Sequence, residues 1–169
     1  YYLYPVMGVD PVRGPAPLTP LVHVHAAVGT AWMLFLIMQA SLLMGRQHER
    51  HMRNGVIGLA LAVAIVVIGI AVAIYSARVG RTPPRWTATG FLIIPITTVA
   101  LFGGFIGAAL FWRRRPDYHK RLMLLGTMAV LVPAGGRMSR DVLPGIFPPG
   151  AVGGMILSDF FLAALLVYG

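Results

Sequence analysis

Residues 54–76, NGVIGLALAVAIVVIGIAVAIYS, decide the fold class, because no charged side chain interrupts them and almost every position is Gly, Ala, Val, Ile or Leu. A helix over this stretch would reach about 34 Å at about 1.5 Å per residue, enough to cross a hydrocarbon core of about 30 Å. It is bounded on one side by Arg46, Arg50 and Arg53 and on the other by Arg78, Arg81 and Arg85. An apolar run between two cationic segments reads as a membrane-spanning helix, and the neighbouring segments repeat the pattern.

The 169 residues are 57% hydrophobic and 11% charged with a mean hydropathy of +0.77, whereas soluble domains carry about 25% charged residues. A water-soluble fold could not bury so much apolar surface. Five spans are expected in an all-α, polytopic bundle: about Leu21 to Met44, Asn54 to Ser76, Thr87 to Trp112, Tyr118 to Arg137, and from Ala151 to the last residue, Gly169. Ahead of them, Tyr1 to Pro20 holds Pro5, Pro11, Pro15, Pro17 and Pro20 and reads as an extended interfacial segment. Pro95 should kink the third span and release a carbonyl near Phe91. Pro133 and Gly135-Gly136 should interrupt the fourth. Neither end resembles a natural terminus, so the chain is expected to be truncated at both.

The net charge is +9. Its cations gather between apolar runs, where they meet anionic headgroups, so nucleic-acid binding is not expected. Of the 14 Lys and Arg, eight (Arg46, Arg50, Arg53, Arg113, Arg114, Arg115, Lys120, Arg121) fall on one predicted side and six on the other. The eight occupy two compact loops, about residues 45–53 and 113–121, which the positive-inside rule assigns to the cytoplasm. With no cysteine present, thiolate chemistry, disulfides and iron–sulfur ligation are excluded.

Helical spacing sorts the polar residues onto faces. His25, Gly29, Trp32, Leu36, Gln39 and Leu43 share one stripe of the first span, which should face the bundle, whereas His23 points the other way. His51, Gly55, Gly58, Ala62, Ile65, Gly69 and Val72 form a stripe of mainly small residues in the second. His119, Met123, Gly126, Val130, Pro133 and Arg137 do the same in the fourth. His51 and His119 thus each open a helix on the same predicted side above a glycine-bearing face. Two imidazoles so placed would suit the axial positions of a b-type haem, and absent side chains below would let the porphyrin approach the backbone.

His25 is a weaker candidate ligand, and a His23-x-His25 metal pair lacks the further ligands a closed site needs. The competing reading is that small residues serve helix packing, as Gly103-x-x-x-Gly107 and Ala100-x-x-x-Gly104-x-x-x-Ala108 suggest for the third span. Asp159, deep in the fifth span, calls for a partner, and Arg137 is the first choice with Arg140 second. No nucleophile elbow, phosphate-binding glycine loop or paired catalytic carboxylates mark an enzyme.

His25 with Trp32 and Gln39, His51-x-x-x-Gly55, the Arg115-Pro116-Asp117-Tyr118-His119-Lys120-Arg121-Leu122-Met123 segment and Arg137 together resemble a group of uncharacterised bacterial multi-pass inner-membrane proteins. The similarity covers about Pro20 to Asp159. It implies a bacterial inner-membrane location and a further membrane helix before the Pro-rich segment, and it brings no activity with it. Three functions are therefore weighed. The chain is an accessory or scaffold subunit, docked by lipid contacts and by other membrane subunits or self-association in a larger membrane assembly, a bioenergetic one among the candidates; or it is a haem b electron-transfer protein using His51 and His119; or, with least support, it is a small channel or transporter.

Overall fold

The computed structural model describes residues 19–79 and 87–141, with Met155, Ile156 and Asp159 beyond them, and for residues 136–141 only the backbone. Among the described residues the chain is all-helical. Its four helices are α1 (Pro20–Met44), α2 (His48–Arg78), α3 (Ala88–Phe111) and α4 (Pro116–Asp141). Three of them, α1, α2 and α3, are long and apolar enough to cross a membrane. Between its charged ends α4 keeps only the interval from Leu122 to Gly136 uncharged. That interval is about 22 Å of helix, short of a core of about 30 Å. The expected fifth span lies outside the described residues except for Met155, Ile156 and Asp159, which are helical and exposed.

Local chemistry sets several of these boundaries. α1 starts with Pro20 in its first turn, where the missing N–H removes a donor that would lack a partner anyway. α3 starts behind Thr87, whose Oγ1 accepts the Gly90 N–H at 3.1 Å and so caps the helix. α1 ends in a paired turn in which Gln47 N–H donates to Leu42 O at 2.8 Å and Arg46 N–H to Leu43 O at 3.0 Å. This is the Schellman arrangement, and its left-handed position is taken by Arg46, at φ 58°, with Gly45 one place too early at φ −78°.

Two expectations about boundaries are corrected. The segment 45–53 is not a loop throughout: only Gly45, Arg46 and Gln47 connect the helices, and α2 already begins at His48. Charge bars His48 to Arg53 from the hydrocarbon but does not stop backbone hydrogen bonding, so the helix extends about 9 Å beyond its apolar part. Nor do Pro133 and Gly135-Gly136 interrupt α4, which continues to Asp141. A single proline withdraws one helical hydrogen bond, and the bonds on either side carry the helix past it. α3 likewise runs unbroken through Pro95.

The described chain divides into two compact units, one of Pro17–Gly103 and one that takes up the chain from Gly104. In the first, α1 packs on α2, and both meet the N-terminal part of α3. Trp32 and Phe102 are 1% and 0% exposed and meet edge to face with ring centroids 5.2 Å apart, a favoured aromatic geometry. Gly58 and Gly69 of α2 are seats for side chains: a Cβ at 58 would lie 2.6 Å from the Phe35 ring, and one at 69 would lie 2.9 Å from Val99. In the second unit a Cβ at Gly126 of α4 would lie 2.9 Å from Ile106 and 3.3 Å from Phe105. In both units, then, small residues of one helix admit larger ones of the next.

Candidate functional site

The buried stripe of α1 is Trp32, Phe35 and Gln39. His25, half-buried, lies on its line, and His23 is exposed, as the helical spacing requires. Gln39 is 7% exposed. Its Nε2 donates to the carbonyl of His51 at 3.3 Å, while its Oε1 is buried without a hydrogen-bond partner among the described residues. The two residues fix the α1–α2 pair just inside its connecting turn.

His51 sits in the first turn of α2 and is half-buried. Below it the buried residues are Gly58, Ala62, Ile65, Gly69 and Ala73, the expected stripe with Ala73 replacing Val72 at its far end. Only Gly55 of these glycines has nothing within 4 Å of its missing Cβ. Gly58 and Gly69 are filled by Phe35 and Val99, so the face below His51 is occupied by neighbouring helices for most of its length.

His119 sits in the first turn of α4 and belongs to the second unit. Its Nδ1 lies 2.8 Å from the carbonyl oxygen of Ala109. Because a carbonyl only accepts, Nδ1 carries the proton. Ala109 is in the last turn of α3, whose final carbonyls have no partner within the helix. His119 therefore caps α3 from the following helix, a role its place in the sequence did not suggest. Gly126, below it, is filled by Ile106 and Phe105. Thr127, also unforeseen, is 5% exposed and donates to Met123 O at 2.9 Å.

On α3 the small residues fall on more than one face. The buried face is Val99, Phe102, Ile106 and Ala109, whereas Ala100, Gly104 and Gly107 are exposed. Nothing lies within 4 Å of a Cβ added at Gly104 or Gly107. The small residues thus divide: Gly103, half-buried, faces Val66 of α2, 3.4 Å from an added Cβ, and Ala108 is half-buried, while Ala100, Gly104 and Gly107 are turned outward.

Asp159 is exposed, and the side chains of its expected partners Arg137 and Arg140 lie outside the described residues. His51 lies in the first unit and His119 in the second. Among the described residues no group of three or more His, Asp or Glu side chains converges to hold a metal ion. Comparisons with models of known protein families, with curated protein sequences and with solved structures find no match.

Proposed function

We propose that this chain is a multi-pass protein of the bacterial inner membrane that serves as an accessory or scaffold subunit of a larger membrane assembly. The observation that carries this reading is the outward face of α3. Ala100, Gly104 and Gly107 lie exposed with open space over both glycines, and small residues at this spacing let a second helix approach closely within a bilayer. Elsewhere the protein uses its glycines as seats for neighbouring side chains, at Gly58, Gly69 and Gly126. An open pair on a membrane-spanning helix is the matching seat for another subunit. In this arrangement residues 118–137, whose short apolar interval requires the bilayer to thin around it, and residues 151–169 add a fourth and fifth crossing, and the turns after α1 and α3 face the cytoplasm.

The test is purification of the full chain from its native membrane in mild detergent. A membrane protein co-purifying in fixed ratio, and lost on Gly104→Leu, is the expected result. A chain that emerges monomeric, with Gly104→Leu indistinguishable from it, overturns the reading.

One observation favours the second reading, a haem b protein using His51 and His119. An imidazole whose Nδ1–H is held by a backbone carbonyl, as in His119, presents Nε2 as its coordinating atom. The filled glycine faces count against it, since Phe35 and Val99 occupy the glycines below His51 and Ile106 the one below His119, so that neither face is left bare. A reducible Soret band that disappears in His119→Leu would establish this second reading.

A further inference from the structure

We propose that the turn joining α3 to α4 is a binding site for the phosphate of an anionic membrane phospholipid. It follows from the membrane reading alone and is independent of any partner subunit. Arg113, Arg114 and Arg115 are consecutive and exposed. Their backbone is held in a closed turn, with Arg113 N–H donating to Leu110 O at 3.4 Å and Arg115 N–H to Trp112 O at 2.8 Å. Lys120 and Arg121 are exposed on the first turns of α4, and Asp117 is the only acid between residues 113 and 121. None of the three guanidinium groups is engaged by another side chain among the described residues.

The aromatic side chains beside the turn identify the source of the phosphate. Phe111, Trp112 and Tyr118 are all exposed, and Trp112 stands between the others, 5.4 Å from Phe111 and 6.2 Å from Tyr118 by ring centroids. Exposed Trp and Tyr at the end of a membrane span mark the headgroup layer. The guanidinium groups begin one residue beyond, at the depth of lipid phosphates. Guanidinium binds phosphate through paired N–H donors, and the aromatic shelf offers the glycerol and upper acyl carbons a surface that a water-borne anion does not need. The other basic turn is built differently. There Arg50 donates to Gln47 Oε1 at 2.9 Å, Glu49 stands next to it, and residues 45–53 include no Phe, Tyr or Trp.

The experiment uses the full chain in nanodiscs of phosphatidylcholine and follows energy transfer from tryptophan to dansyl-labelled lipid. Dansyl-phosphatidylglycerol is expected to bind at least about tenfold more tightly than dansyl-phosphatidylcholine, and R113Q/R114Q/R115Q to lose roughly a hundredfold. R46Q/R50Q is expected to change binding less than about threefold, and R114E alone to weaken it about tenfold as an independent readout if the triple variant folds poorly. Equal binding of the two lipids, or a folded triple variant or R114E that binds like wild type, overturns the proposal. So does complete displacement of the lipid by millimolar inorganic phosphate, which would assign the turn to a soluble anion.

Discussion

The Nδ1 atom of His119 and the carbonyl oxygen of Ala109, 2.8 Å apart, join the first turn of one helix to the last turn of the one before it. A donor near an unsatisfied helix-terminal carbonyl is a capping interaction, and its loss leaves a part-buried acceptor in need of water. His119→Ala is expected to lower stability by about 1–3 kcal/mol and to speed amide exchange in the last turns of α3. Thermal unfolding in detergent, with hydrogen exchange read by mass spectrometry, measures both; unchanged exchange around Ala109 would rule out the capping role.

Gly58 and Phe35 form a seat and its occupant. Gly58→Ala would place a carbon 2.6 Å from the ring, and the buried ring has Trp32 beside it, at 6.4 Å between centroids. A loss of about 1–3 kcal/mol is expected from such overpacking. Gly69→Ala should cost a comparable amount, because it meets Val99, a branched side chain with little rotamer freedom in a helix. Combining Gly58→Ala with Phe35→Leu should recover part of the loss. In isolated protein Gly104→Ala and Gly107→Ala, with open space above them, should be neutral or gain up to about 1 kcal/mol from helix propensity.

Arg46 occupies a left-handed position, φ 58°, at which glycine meets no steric penalty. Arg46→Gly is therefore expected to raise stability by about 1 kcal/mol. Arg46→Val, branched at Cβ, should lower it. Denaturation midpoints of the two variants moving in the same direction would contradict this account of the turn.

Gln39 is a buried side chain with one long hydrogen bond, at 3.3 Å, and one acceptor atom without a partner among the described residues. Gln39→Leu keeps its bulk and removes both polar atoms. Stability within about 1 kcal/mol of wild type is expected, with Gln39→Ala clearly lower because it opens a cavity. A loss above about 2 kcal/mol for Gln39→Leu would mean that Oε1 makes a contact in the membrane that it lacks here.

Period and hydropathy made much of this architecture legible. The stripe of Trp32 and Gln39, the opposite placement of His23, and the run of Gly58, Ala62, Ile65 and Gly69 all follow from the 3.6-residue repeat. Which face of an all-apolar helix is covered does not follow, as α3 shows: spacing identifies Ala100, Gly104 and Gly107 as able to pack, but tertiary contact covers the face of Val99, Phe102 and Ile106. The turn after α1 misleads in another way. Gly45 marks the helix end, yet the strained backbone falls on Arg46, because the hydrogen-bond pattern and not the residue type sets the register. The bond from His119 to Ala109 joins two helices through their connection, beyond the reach of any single-helix periodicity. Function is the least legible part, since imidazoles and glycines at these spacings serve ligands and packing alike.

Helix α2 is 31 residues long, about 46 Å, and its apolar part alone exceeds a hydrocarbon core of about 30 Å. It cannot stand upright and keep every apolar residue in lipid, so it leans or the bilayer thickens around it. Since Phe35 of α1 and Val99 of α3 are seated in its glycines, any lean of α2 is shared by the three helices. The angle at which this unit rests is thereby tied to the thickness of the membrane that holds it, and a change of acyl-chain length acts on all three helices at once.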